Sequence, residues 1–395
     1  MMFSMYNYQI MKTFCFKLYN SKHNDRLMRL INIAGLIYNH CIALHKRYYR
    51  LYGKHIRKFQ LTKHLVKLKR TKQFSYMKKL DAQAVYDIVF RIDWAYNLFF
   101  DNLKRGIKTS QPKFRKVKRY RSFTLYLQGW KLDEQNGRIR IQKKWYRYFN
   151  SRKIEGKIKT ITVKRDALGD IYIYLTCDNQ CDMVEPRTGE SVGLDFGLGG
   201  SHNKLKFLTA SNGRDIASPD FFAQNAVIIR KKCRIVSRRQ KGSGNRIRAY
   251  RDLVRAYRKM FNQRKDFHFK TARRLCEEYA LICLETLDLK AIGKNWGRKI
   301  NSLGFYSFIQ ILMYEAQKAG TRIFFADRYY PSSQICSECG YKNPELKDVR
   351  IRSWKCPKCG TEHDRDRNAA INVLRAGVSA HGGEPVRPVS AGKVR

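Results

Sequence analysis

The chain has 395 residues, 43% of them apolar and 13% aromatic, enough for two or three domains that each bury a core. Lys and Arg number 81 against 32 Asp and Glu, a net charge of +49 that must be neutralised by a polyanion, nucleic acid first and a membrane surface second. No apolar run approaches the roughly 18 residues of a spanning helix and no signal peptide is visible, so a chain without a membrane partner is expected in the cytoplasm, associated with the nucleoid.

In chain order, Met1, Met2, Met5 and Met11 suggest that the first ten residues are a dispensable extension. Alternation from Lys12 to Tyr19 predicts a strand. Asp25 is expected to cap a long helix, with Leu27, Leu30, Ala34, Ile37, Tyr38, Cys41, Leu44 and Tyr48 at helical spacing. Residues 54–79 are basic and less regular, one or two further helices. Ala82 to Leu103 carries Val85, Ile88, Val89, Ile92, Ala95 and Phe99 on one helical face. An acid-free loop follows with Lys104, Arg105, Lys108, Lys113, Arg115, Lys116, Lys118, Arg119 and Arg121. A charge run is usually a solvated face. Here Phe114, Tyr120 and Phe123 are interleaved with the cations, which suits phosphate contact combined with base stacking.

From Ser122 to Cys177 the period changes to two. Strands are expected at Phe123 to Leu127, Ile139 to Ile141, Ile158 to Val163 and Ile171 to Leu175, with turns at Asn136-Gly137 and Gly169-Asp170. They read as a small β-barrel or open sheet, joined by the first strand, with the helices inserted between. Gln180 to Glu190 is a polar linker. A mixed α/β pattern follows: strands at Val192 to Phe196, at Lys206 to Ala210 and near Ile216. Two basic antiparallel helices come next, Phe221 to about Arg239 and Asn245 to about Tyr279. A buried strand is expected at Leu281 to Leu284, a helix from about Asn301 to Ala319, a strand at Thr321 to Phe325 and a last helix at Asn368 to Ala376. The tail from Gly377 reads as disordered.

Two CxxC pairs, Cys336/Cys339 and Cys356/Cys359, are separated by residues 340 to 355, the spacing of a four-cysteine zinc ribbon. Disulfides or ordinary buried thiols fit less well, since nothing suggests an oxidising compartment. Cys15, Cys41, Cys177, Cys181, Cys233, Cys276 and Cys283 read as reduced thiols. Cys177 and Cys181 lack a matching pair for a second metal. Three acids stand out by placement. Asp195 lies near the end of the strand SVGLDFG, Glu285 ends LICLE, and Asp366, or Asp364, precedes the last helix. Each alone is weak, and Asp366 could be only a helix cap. Converging at strand ends in this order, they describe a ribonuclease-H-like nuclease core, whose oxygen ligands suit two magnesium ions.

GLDFG, LICLE and CPKCGTEHDRDRNAAINVL resemble the three RuvC motifs and zinc ribbon of the TnpB/OrfB family of insertion-sequence proteins. QAVYDIVFRIDWAYNLFFDNLKRG, PKFRKVKRYRSFTL, NQRKDFHFKTARRL and FFADRYYPSSQICSECG extend the resemblance from about Met11 to Gly377. The miniature type V CRISPR effectors share the C-terminal core. Phe269, where the family often has His, and Phe305, where it usually has Trp, are departures outside the acid set. His268 beside Phe269 reads as a core or capping histidine.

The resemblance implies a multidomain α+β chain: an N-terminal wedge β-barrel with an inserted helical recognition subdomain, then a RuvC-like α/β nuclease domain with an inserted zinc ribbon. The expected boundaries are a wedge strand at 1–24, helical subdomain 25–110, wedge barrel 111–185, nuclease core 186–330, ribbon 331–362, last motif and helix 363–377 and basic tail 378–395. It implies an RNA-guided DNA endonuclease encoded by a transposable element, with guide RNA and double- and single-stranded DNA as partners; the protein itself is expected as a monomer. Base pairing would read the sequence and the protein a short flanking motif. Asp195, Glu285 and Asp366 would be the catalytic acids on magnesium, Asp366 being favoured over Asp364 because the family's acid immediately precedes x-N-A-A. Cys336, Cys339, Cys356 and Cys359 would hold one structural zinc. The other readings are a nuclease-silent RNA-guided regulator, a transposase or accessory protein working without RNA, and a plain basic zinc-ribbon protein.

Overall fold

The computed structural model describes residues 10–179, 184–197, 200–201, 204–288, 293, 297, 300–348 and 350–381. The proposed N-terminal extension except Ile10, Cys181 and the tail beyond 381 lie outside the described residues. The chain divides into two compact units, the second beginning at residue 182.

In the first unit, β1 (Ile10–Lys17), β2 (Ser122–Leu125), β6 (Lys157–Arg165) and β7 (Ile171–Asn179) form an antiparallel sheet in the order β1-β7-β6-β2. Ile10 already pairs with Asn179, so the first strand starts inside the supposed extension. β3 (Trp130–Asp133), β4 (Arg138–Ile141) and β5 (Lys144–Arg147) make a separate meander, tied to the first strand by the Leu18–Tyr148 bridge. The expected barrel is thus described as two sheets. Between β1 and β2 lie α1 (Asn24–Tyr52), α2 (Lys58–Leu68), a short 3-10 turn at Ser75–Lys79 and α3 (Ala82–Lys104). Asp25 does not cap α1: it sits in the first helical turn, after His23. Asp81 does cap α3, its side chain accepting from the Gln83 N–H at 2.9 Å. By length and composition α1 could cross a membrane, contrary to expectation, but Leu27, Ile31, Ala34, Ile37, Cys41 and Ile42 spend its apolar face on this unit's core.

The second unit is built on β8 (Ser191–Phe196), β9 (Gly200–Ser201), β10 (Lys204–Ala210), β11 (Asp215–Ser218), β12 (Leu281–Glu285) and β13 (Arg322–Ala326). The main order is β11-β10-β8-β12-β13, with β9 beside β10. β11, β10 and β8 run antiparallel, whereas β8, β12 and β13 are parallel. Parallel pairing demands long crossovers. α4 (Phe221–Arg238) and α5 (Gly244–Glu278) form a hairpin on the path from β11 to β12, and α6 (Phe305–Ala319) precedes β13. α6 starts later than expected because Gly304, at φ +66°, separates it from the helical residues 300–303. The ribbon, with β14 (Ser353–Lys355) and β15 (Glu362–Asp364), leads into α7 (Arg365–His381). This strand order is that of the ribonuclease-H-like core read from the sequence.

α7 runs past the expected end at Ala376. Gly377 serves packing here: a Cβ on it would lie 2.2 Å from Cys283 Sγ on β12. Gly193 plays the matching part on β8, where a Cβ would lie 2.0 Å from the Ala370 carbonyl oxygen. Two glycines therefore let α7 lie directly on the central strands. Cys41, Cys276 and Cys283 are buried, and burial pushes each thiol up to about 12, so they behave as inert core side chains.

Candidate active site and metal centre

β8 alternates as a sheet strand must: Val192 and Leu194 face the core, while Asp195 is partly exposed. β12 runs parallel to it, with Leu284 paired to Leu194, so the next residues along the two strands are Glu285 and Asp195. Asp366 lies in the first turn of α7. The three acids interact. Burial pushes the Asp195 carboxyl well above the usual range, and the charges of Glu285 and Asp366, with a hydrogen bond to Glu285, push the same way. Burial raises Glu285 too. Desolvation of carboxylates this close together is relieved by a bound proton or a cation.

Asp364 takes a different part. Exposed, it accepts a hydrogen bond from the Arg367 N–H at 2.9 Å and caps α7. The Asp366 carboxylate instead meets two cations: Lys206 Nζ of β10 at 3.2 Å from Oδ2, and Arg352 Nη1 at 3.2 Å from Oδ1. Lys206 Nζ also lies 3.3 Å from Asp215 Oδ1 on β11. Sequence reasoning missed both Lys206 and Arg352. Each is one cation among 81, and only the strand register and the approach of α7 select them.

The four predicted cysteines come together, all four Sγ atoms lying within 4.8 Å of one another. Cys336–Cys359 and Cys339–Cys356 are 3.7 and 3.6 Å apart. A tetrahedral zinc with Zn–S of about 2.3 Å has S–S edges of about 3.8 Å, so the donors fit that ion. Each CxxC forms the same knuckle. The Gly340 N–H donates to the Cys336 carbonyl at 3.0 Å and the Gly360 N–H to that of Cys356 at 2.9 Å, with φ of +74° and +76° at the two glycines. His363 Nε2 lies 3.1 Å from Cys336 Sγ.

The ribbon is tied to α7 by the residues around Asp366. The buried Arg365 guanidinium donates to the carbonyls of Asp348 (2.6 Å) and Leu346 (2.8 Å). Asn368 accepts from the Ser337 N–H at 2.8 Å and donates to the Ile335 carbonyl at 2.7 Å, and Asn372 donates to those of Ser332 and Ile335. The first zinc knuckle is thereby splinted to the helix that carries the third acid.

In the other unit, the nine cations named in the basic loop are exposed. Asn39 pins the loop by bonding both the N–H and the carbonyl of Arg115, and Arg165 donates to the Tyr120 carbonyl at 2.9 Å. Phe114 is 54% exposed, with Lys46 Nζ 4.7 Å from its ring centroid. Tyr120 and Phe123, however, are core residues at 3% and 0%. They lead into and occupy β2, where inward positions pack on the helices, so neither can stack on a base. His268 is a core residue, its Nε2 2.8 Å from the Leu303 carbonyl oxygen and its ring stacked 5.6 Å from Phe207. Phe305 is buried against Phe196 and Phe207.

Fold and site together define a ribonuclease-H-like α/β domain with an acid cluster at the strand ends and a four-cysteine ribbon. Residues 174–295 match the family described as "Probable transposase" (OrfB_IS605), and residues 305–373 match "Cas12f1-like, TNB domain". The chain is 28% identical to a Streptomyces pristinaespiralis protein named "Putative RNA-guided DNA endonuclease", over 96% of this chain and 93% of that one. An Escherichia coli K12 protein with the same name and the suffix InsQ is 25% identical over 89% of this chain and 88% of its own. A solved structure, "Cryo-EM structure of the Cas12f1-sgRNA-target DNA complex", shares the fold with a TM-score of 0.55 at 13% identity, covering 92% of this chain and 98% of that one. The chain is thus similar to TnpB/OrfB proteins over nearly its whole length, and its second unit carries almost all of both family matches.

Proposed function

We propose that this protein is an RNA-guided DNA endonuclease encoded by a transposable element, and that Asp195, Glu285 and Asp366 form its cutting site. The observation that carries the reading is the convergence of these acids from β8, β12 and α7 on one end of a ribonuclease-H-like sheet. The names of the full-length relatives support the same reading.

The three carboxylates are the chain's own ligands for magnesium, which when bound would activate a water and stabilise the leaving oxygen of a phosphodiester. Burial and mutual repulsion raise the Asp195 and Glu285 carboxyls, which favours a cation between them, while Lys206 and Arg352 hold Asp366 in place. The four cysteines would keep one zinc as a structural element, and the Asn368 and Arg365 contacts transmit its order to α7. Lys104, Arg105, Lys108, Lys113, Arg115, Lys116, Lys118, Arg119 and Arg121 would contact the phosphates of guide RNA or target DNA, with Phe114 available for stacking. Target choice would rest on base pairing to the guide plus a short flanking DNA motif read by the protein. A monomer working in the cytoplasm at the nucleoid completes the proposal.

The test is to purify the protein from cells carrying its native locus and sequence the RNA that comes with it. A discrete RNA with a constant scaffold and a locus-derived end is expected, and the complex should cut matching DNA. Tight target binding without cutting would make it a guided regulator. Heterogeneous RNA that salt removes would favour an unguided transposase accessory role.

A further inference from the structure

Asp366 has neither carboxylate oxygen unengaged, since Arg352 sits on one and Lys206 on the other. Lys206 is anchored for this position. It lies on β10, whose own Thr209 pairs with Asp195 of β8, and its ammonium is also held by Asp215 of β11 at 3.3 Å. Thr209 Oγ1 fixes that second acid by donating to Asp215 Oδ1 at 2.9 Å. The end of β8 also approaches β10 closely beside it, since a Cβ on Gly197 would lie 2.7 Å from the Lys206 carbonyl oxygen. Its side chain is 22% exposed, so the ammonium sits in a partly desolvated gap between two acids. A surface ion pair would be free to wander, but this one is placed by the sheet itself.

We propose that Lys206 is a resident counter-cation that competes with a divalent metal ion for Asp366 and so sets the metal concentration at which the site fills. The inference rests on the acids being the metal site of the proposed nuclease. Lys206 is thus a positioning residue. It keeps Asp366 aligned with β10 while the site is empty of metal, and Asp366 must exchange the ammonium for the incoming ion. Asp215 is the acceptor to which Lys206 can retreat without leaving its strand. Arg352 keeps Asp366 in register during the exchange.

The probe is Mn2+, titrated into the full-length chain stripped of RNA by high salt, with free ion counted by electron paramagnetic resonance. The site is defined as the Mn2+ binding that Asp195→Asn and Asp366→Asn abolish. One unit charge at about 5 Å, screened by partial exposure, corresponds to roughly tenfold in affinity, so Lys206→Met should bind Mn2+ about tenfold more tightly. Lys206→Arg should match the unsubstituted chain. In cleavage assays the half-saturating metal concentration should fall for Lys206→Met, independently of any change in the maximal rate. Equal or weaker Mn2+ binding by Lys206→Met would overturn the inference and leave the nuclease reading standing. Absence of any Asp195-dependent Mn2+ site in the unsubstituted chain would overturn both. Should Lys206→Met melt early in EDTA, Asp215→Asn supplies the same information. It should weaken Mn2+ binding more in the presence of Lys206 than beside Lys206→Gln, and equal effects in both backgrounds would count against competition.

Discussion

The cysteine cluster and the acid cluster lie in the same unit of the chain and solve opposite problems. The ribbon brings four thiols to the edges of one tetrahedron by two near-identical glycine-closed knuckles, a ligand set that leaves no open position. The acid site gathers three carboxylates from elements far apart in sequence, where burial raises the Asp195 and Glu285 carboxyls and two protein cations sit on Asp366. A closed thiolate site serves structure, whereas oxygen-ligand metal sites commonly keep positions open to water or substrate. What connects them is Arg365, Asn368 and Asn372, whose hydrogen bonds make the ribbon the abutment of α7.

The sharpest way to break this contrast is to remove a thiolate. Cys356→Ser should release zinc and unfold the ribbon, since structural zinc contributes on the order of 10 kcal/mol of folding free energy in small sites. Zinc content of the purified variant is the measurement, and an unchanged one-to-one ratio would refute the assignment. A smaller effect is expected at the splint. Asn368→Ala strands the Ser337 N–H, while the Ile335 carbonyl keeps its bond from Asn372, a cost of about 1–3 kcal/mol for one buried group, with zinc retained and cleavage reduced. Denaturant unfolding gives the first quantity, and a midpoint equal to that of the parent would show that the splint carries no load. The smallest effect separates the two neighbouring acids. Asp364→Ala removes only a helix cap, about 1 kcal/mol, and should keep cleavage within a few-fold, whereas Asp366→Ala should abolish it. Loss of cutting in both would reassign the third acid.

Much of this contrast was legible in the residues before any coordinates. The CxxC spacing is local, so its chemistry needs no tertiary information. GLDFG and LICLE announced themselves as strand-end acids because buried parallel strands are short apolar runs. The choice between Asp364 and Asp366 was not settled by local pattern, since both precede a helix. It turns on where α7 begins and which side chain then faces Lys206. Gly377 looked like a terminator but is a packing glycine, a distinction that depends on Cys283 lying opposite. Tyr120 looked like a stacking residue because cations surround it in sequence, yet its ring faces Gly35 of α1. β3 and β5 escaped notice: KWYR sets its two apolar residues side by side, without the alternation of RIRI in β4, and WKLD alternates over four residues only. Residues that act through local spacing were readable, and those that act through register were not.

The most direct measurement sets the RNA-loaded chain against its Asp195→Ala variant on matched target DNA with Mg2+, scoring binding and cutting in the same reaction. Equal binding, with cutting lowered about 10³-fold or more in the variant, is the expected result, as befits a group that acts within a catalytic unit. Cutting by the variant at the parental rate would remove Asp195 from the site and, with it, the nuclease assignment built on that strand.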